Sequence, residues 1–182
     1  MRGLPLWNAA DTQPGTVVRA AGKVSAAAQT IAPFTRSECA FYLVELREWD
    51  NGVLYPFLLV VGGALFCVCT DDAKVIFDPV HCVAYIKGRV ATGESVDYPA
   101  ETAEFLDAHG HAGKARLIVP PIFARAGNRS FHWKESIVLS GDQVRVAGTL
   151  TSRVDITGRA TYREPPTLPS IGHPGAVLID DA

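Results

Sequence analysis

The sequence predicts a mainly β (α+β) fold: a small, partly open barrel with extra strands and one main helix. Three observations predict it. Short apolar runs with period-two alternation recur along the chain, separated by Gly, Pro, Asn and Asp clusters. Only Pro99 to Gly110 carries helix signals at both ends, a proline in the first turn with acids early and a terminal glycine. A Gly-x-Val strand, a hairpin, a helix and a Gly-Asp-x-Val-x-Val-x-Gly strand then follow one another. That order suits a barrel of oligonucleotide/oligosaccharide-binding (OB) type.

Length and composition set the frame. At 182 residues, 48% hydrophobic and 20% charged, the chain suits one globular domain with an ordinary core. A net charge of −2 gives no basic excess for binding nucleic-acid phosphates. The first residues, Met1 to Trp7, are too short and too soon polar for a signal peptide, and four cysteines are not a disulfide framework in a domain of this size. A reduced, cytoplasmic setting follows as the expectation.

Residues 1–15 form a polar lead-in, and a β domain is expected over 16–160. Its first strand runs from Thr16 to Ala26, with a bulge or bend at Gly22. Ile31 to Ser37 reads as a loop with one buried anchor, and Cys39 to Trp49 as a strand ended by the turn Asp50-Asn51-Gly52. Val53 to Thr70 is free of charge and close to membrane-spanning length, yet Pro56 and Gly62-Gly63 interrupt it. Two strands, Pro56 to Val61 and Ala64 to Thr70, joined at Gly62-Gly63, fit that punctuation better than a helix.

The hairpin Phe66 to Phe77 is the centre of this reading. Cys69 faces Lys74, Val68 faces Val75, Cys67 faces Ile76 and Phe66 faces Phe77, so Phe66, Val68, Val75 and Phe77 share a core face. A two-residue turn at Asp71-Asp72 and a looser loop over Thr70 to Ala73 both fit. Asp78-Pro79 stops the strand, Cys82 to Arg89 reads as a short strand, and the helix presents Ala103, Leu106 and Phe105 to the sheet. Beyond a short apolar run, Arg116 to Val119, and the turn Gly127-Asn128, Ser130 to Leu139 and Gln143 to Ser152 read as a second hairpin about Ser140-Gly141-Asp142. A Pro-rich tail, 161–182, ends in a docking strand at Ala176 to Ile179.

No catalytic, cofactor or metal site is read from the residues. Cys67-x-Cys69 and the nearby His81 and Cys82 lack a second Cys pair for structural zinc, so small buried hydrophobes describe the thiols better, with the Cys67 and Cys69 face available to cover the helix. His109-Gly110-His111 sits at a helix end, where an imidazolium is favourable without a metal. Ser130, Ser136 and Ser140 lack a nucleophile-elbow context, and Val61-Gly62-Gly63-Ala64 lacks the Lys-Ser/Thr of a phosphate loop. Glu135 is expected to pair with Arg129, Arg145 or Lys134 on the sheet surface, and Asp142 to serve its turn. The candidate ligand surface is Phe123, Arg125, Arg129, Phe131 and Trp133, aromatics among basic residues close to His132 and Lys134.

Five motifs in order carry a resemblance. Gly22-Lys23-Val24, Ala32-Pro33-Phe34 before Cys39-Ala40-Phe41-Tyr42, Phe66-x-Val68 with Val75-x-Phe77-x-Pro79, Glu135-Ser136-x-Val138, and Gly141-Asp142-x-Val144-x-Val146-x-Gly148 resemble the GIDE-type, or "beside a membrane" (BAM), domain. That domain occurs in mitochondrial E3 ubiquitin/SUMO ligases of the MULAN/MAPL kind and in bacterial membrane proteins. The resemblance covers about Gly22 to Ile179. The family hairpin has Asp-x-Thr-Gly where this chain has Thr70-Asp71-Asp72-Ala73, and the sequence has neither a RING finger nor the family's flanking transmembrane helices.

The resemblance implies a non-catalytic protein-interaction or scaffolding module that works beside a membrane or with a separate effector. The partner is a protein, with membrane proximity supplied by that partner or by helices outside this sequence; nucleic acid is not the expected ligand. Two alternatives stand beside it: an enzyme whose site is assembled from distant residues such as His109, His132 and Glu135, and a single-strand nucleic-acid binder on the barrel face.

Overall fold

The computed structural model describes residues 13–50, 53–71, 73–79, 82–94, 99–109, 131–154 and 167–180. Alternation sets the first strand, β1 (Val17–Ala26): Val18, Ala20 and Val24 are buried while Val17, Ala21 and Lys23 are exposed. A short ribbon, β2 (Thr30–Ile31) and β3 (Glu38–Cys39), brackets the next loop, whose anchor is the buried Phe34. There follow β4 (Phe41–Asp50), β5 (Val53–Gly63), β6 (Phe66–Cys69), β7 (Lys74–Phe77), β8 (Val83–Tyr85), β9 (Val90–Glu94), α1 (Pro99–Ala108), β10 (Phe131–Val138), β11 (Gln143–Val154) and β12 (Thr167–Asp180).

Five strands close into a barrel, in the order β1-β6-β7-β12-β11 and back to β1. The ring is complete because β12 pairs antiparallel with β11 and parallel with β7. Renumbered within the ring this is 1-2-3-5-4-1, the OB order, so the barrel expected to be partly open is closed. The hairpin β6–β7 has the register read from the sequence, and Phe66, Val68, Val75 and Phe77 are fully buried in the barrel core with Val18, Val24, Val146, Ile171 and Leu178. The ring needs a sharp crossing where β1 leaves β11 for β6. Lys23 pairs with both Gln143 and Cys69, and a Cβ on Gly22 would lie 2.1 Å from the Cys69 carbonyl oxygen. The bend expected at Gly22 is therefore a close backbone approach that only glycine permits.

A second sheet, in the order β5-β4-β10-β9, is built from the two long insertions in the barrel. One lies between β1 and β6, the other between β7 and β11. The two sheets are continuous at their shared end: Phe41 and Val138, at the barrel ends of β4 and β10, belong to the barrel core, and Leu43 and Val61 pack against it. Farther along, Val44, Leu46 and Trp133 form a second core with Phe34 and Phe105.

Several expectations change. Gly62-Gly63 is no hairpin turn, because β5 pairs with β4 whereas β6 pairs with β1 and β7 in the other sheet. The glycines serve close contacts instead: a Cβ on Gly62 would meet the Tyr42 ring at 2.1 Å, and one on Gly63 the Ala40 carbonyl oxygen at 2.7 Å. Ser140-Gly141-Asp142 likewise turns a corner between sheets, since β10 pairs with β4 and β9 while β11 pairs with β1 and β12. Asp142 Oδ2 accepts the Leu139 N–H at 2.8 Å, the Gly141 N–H donates to the Val24 carbonyl at 2.7 Å, and Gly141 has φ 96°, so the corner is pinned to β1. The Pro-rich tail is not an appendage; most of it is β12. Pro174 is tolerated because it falls between Gly172 and Val177, where the register with β11 shifts. On α1 Phe105 is buried and Ala103 is exposed, while the side chain of Leu106 lies outside the described residues. The helix packs through Phe105 on the second core rather than on the face of Cys67 and Cys69.

Candidate binding cleft on the second sheet

The two faces of the second sheet differ in chemistry. Pairing puts Leu46 opposite Trp133 and Trp133 opposite Gly93, on the face beneath Phe34 and α1. The alternate residues therefore point the other way: Glu45 and Arg47 on β4, Thr92 and Glu94 on β9, His132 and Lys134 on β10. Directly across the strands, Arg47 faces His132, which faces Glu94, while Glu45 faces Lys134, which faces Thr92. A polar, mixed-sign surface results.

Two contacts join these groups. Arg47 Nε donates to Glu45 Oε1 at 2.7 Å, and that bond holds the guanidinium still more firmly in its charged form. His132 Nδ1 lies 3.7 Å from Glu94 Oε1. Among them opens a cleft of about 440 Å³ lined by Arg47, Thr92, Glu94, His132, Lys134 and the Gly93–Trp133 pair. Gly93 is needed there, for a Cβ at that position would stand 2.5 Å from Trp133 Cζ2. The glycine leaves the indole room beside the cleft.

Beneath the sheet runs an aromatic stack. Trp133 lies face to face with Phe34, 4.7 Å between centroids and 14° between planes, and Phe34 meets Phe105 at 5.4 Å. His109 continues it over Phe105 at 4.3 Å, with Nδ1 2.8 Å from the Phe105 carbonyl oxygen. A smaller recess of about 180 Å³ borders α1, between Ile31, Pro33, Tyr42 and His109, and the Arg36–Glu104 ion pair at 2.6 Å closes its rim.

Glu135 holds this arrangement together. It is fully buried, and its carboxylate accepts the backbone N–H of Phe34 at 2.8 Å and of Thr35 at 2.9 Å. The expected surface pairing with Arg129, Arg145 or Lys134 is therefore wrong; the side chain points under the sheet to fix the loop that carries Phe34. Asp142 adds to its turn role a pair of 3.4 Å contacts with Arg89.

Of the residues singled out from the sequence, Phe123, Arg125 and Arg129 lie outside the described residues. Phe131 opens β10 opposite Glu48. Trp133 is only 4% exposed and stacks inward, so it borders the cleft without offering a stacking face. The structure does not assemble His109, His132 and Glu135: His109 ends α1, and His132 and Glu135 stand on opposite faces of β10. Arg47, Thr92 and Glu94 were not singled out. The signal for Arg47 is the polar alternation Glu45-x-Arg47, whereas β9, a five-residue strand holding Thr92-Gly93-Glu94, has little apolar alternation to mark it.

Burial holds two of the thiols in their neutral form. All four cysteines are free, and burial pushes Cys39 up to about 11, with Glu135 adding to the effect, and Cys82 up to about 12. On the β6–β7 surface, where OB barrels bind their ligands, the outward residues are Cys67, Cys69, Lys74 and Ile76, and Cys67 and Ile76 are fully buried. Among the described residues no three His, Cys, Asp or Glu side chains group as metal ligands, and no helix is long and apolar enough to cross a membrane. No family model, curated protein or solved structure matches the chain.

Proposed function

We propose that this chain is a non-catalytic recognition or scaffolding module of GIDE/BAM type, which holds a partner protein in the charged cleft of its second sheet and presents it to a separate effector beside a membrane. The observation that carries the reading is the cleft itself. Its side chains offer both signs of charge, donors and acceptors, on a rigid three-strand platform, which suits a mixed-charge protein segment. Arg47 already engages the carboxylate of Glu45, and Lys134, across the strand from Glu45, makes no ion pair among the described residues and would serve an acidic group of the partner. The buried carboxylate of Glu135, a member of the alternative enzyme site, is committed to two backbone N–H groups.

Affinity capture from native lysate tests this, comparing the wild-type chain with Arg47→Glu/Lys134→Glu, while a lysine-reactive crosslinker maps the contact in the wild type. One protein is expected to crosslink through Lys134 of the wild type, and its recovery without crosslinker is expected to fall at least about tenfold in the double variant, a loss of about 1.4 kcal/mol in binding, with the melting temperature unchanged. Equal recovery in both would refute the cleft as the binding surface. Chain-dependent ubiquitin or SUMO conjugation in a system of activating and carrier enzymes would refute the non-catalytic reading.

A further inference from the structure

The free edge of the second sheet carries more information than its faces. The strand β5 is eleven residues long and stands at the end of the order β5-β4-β10-β9, paired on one side only among the described residues. Such an edge presents a row of N–H and C=O groups that another extended chain can pair with in place of water. Proteins that stay apart defend long edges with charge, lysine above all. Here no Asp, Glu, Lys or Arg occurs anywhere from Asn51 to Thr70. Leu59, in the middle of the strand, is 63% exposed, more than Val17, Ile31, Val83, Tyr85 or Val90.

We propose that β5 is a dimerisation edge, pairing antiparallel with β5 of a second copy about a two-fold axis through Val60. The lack of charge along the strand suits a copy of the same chain. A two-fold axis through a strand pair sets residues opposite themselves or near their own copies, and a charge there would repel its twin. The free edges at β9 and β8 are poorer candidates, β9 because it ends in Glu94 and β8 because it has three residues. The register follows from proline and from the faces. Pro56 cannot donate to a ladder and the register with β4 shifts across Phe57, which leaves Leu58 to Gly63 as the uninterrupted run, with Val60 and Val61 at its middle.

That centre also keeps the faces matched, because opposite residues in an antiparallel pair lie on the same face. Leu59 then meets the partner's Val61 on the outer face, Val60 meets its own copy and Leu58 meets the partner's Gly62 beneath, so that apolar meets apolar or glycine throughout. Leu58 and Val60 already pack on the second core, and Val61 on the barrel core, so the joined strands would continue both. The charged cleft lies toward the opposite edge of the sheet. Dimerisation and partner binding in the cleft thus succeed or fail independently.

Sedimentation equilibrium of the full chain tests the proposal, from about 1 to about 100 µM, a range that brackets micromolar self-association. A species of twice the 19.5 kDa chain mass is expected to accumulate with concentration. Leu59→Lys should raise the dimer dissociation constant at least tenfold while keeping the fold, since position 59 faces Glu45 within its own sheet. A mild oxidant should crosslink Val60→Cys through the axis at least fivefold more than Leu59→Cys or the wild type. A monomer throughout the range overturns the proposal, as does a dimer indifferent to Leu59→Lys or one crosslinked better at position 59 than at 60.

Discussion

Glu135 is one of three buried polar residues in the described structure, with Ser136 and Ser170, and its two accepted hydrogen bonds fix the loop whose Phe34 seals the second core. Removing the carboxylate leaves two donors with no partner in an apolar setting. Glu135→Ala should therefore destabilise the fold by about 3 kcal/mol or more, read as a drop in the urea midpoint at unchanged slope. A loss below about 1 kcal/mol would mean that the Phe34 and Thr35 N–H groups find other acceptors. The thiols make a second prediction at this scale. Cys39 and Cys82 have folded-state values of about 11 and about 12, above the 9.0 of an unfolded thiol. Their contribution is complete below pH 9, and stability falls as pH rises from there toward 12, because the unfolded chain releases protons the folded chain retains. Alkaline melts should show this, with a shallower decline in Cys82→Ala. In the sequence Glu135 stands between Lys134 and Ser136 and so has the look of a surface residue. Its burial was not legible there, because composition favours carboxylates outside, and the two donors that stabilise it come from a loop 100 residues earlier in the chain.

Elements divide by how local their information is. The β6–β7 hairpin lies within twelve residues, and alternation alone fixed its register and its core face. Phe77, fully buried with its ring 5.3 Å from that of Phe66, should cost about 3–5 kcal/mol when replaced by alanine; near-wild-type melting of Phe77→Ala would contradict this packing. At Gly22 the obstacle is a backbone carbonyl, which cannot swing aside. Gly22→Ala should therefore lower the melting temperature more than Gly93→Ala, where the obstacle is the Trp133 side chain. Equal effects would show that β1 shifts to make room. What sequence could not say is whether a bend returns a strand to its neighbour. Gly62-Gly63 and Ser140-Gly141-Asp142 have the composition of hairpin turns, yet each passes the chain from one sheet to the other. The cleft was illegible for the same reason: β4 and β9 reach β10 only through long-range pairing, and β9 has little apolar alternation to announce it.

Across the whole molecule, β4 and β10 give one end to the barrel core and the other to the second core. Neither core can come apart without exposing the other. A single cooperative transition follows, with far-ultraviolet and near-ultraviolet circular dichroism giving the same midpoint; separated midpoints would show that the second sheet unfolds alone. The barrel itself is closed by β12, which bridges β11 and β7. Synthesis runs from the amino end, so the ribosome delivers β1, β6 and β7 long before the strand that shuts the ring. Until β12 emerges, the nascent chain has an open gutter lined by Val18, Val24, Phe66 and Phe77. Closure of the barrel therefore waits on its last strand, and a chaperone able to shield that lining until then would govern how much of the newly made protein reaches its native state.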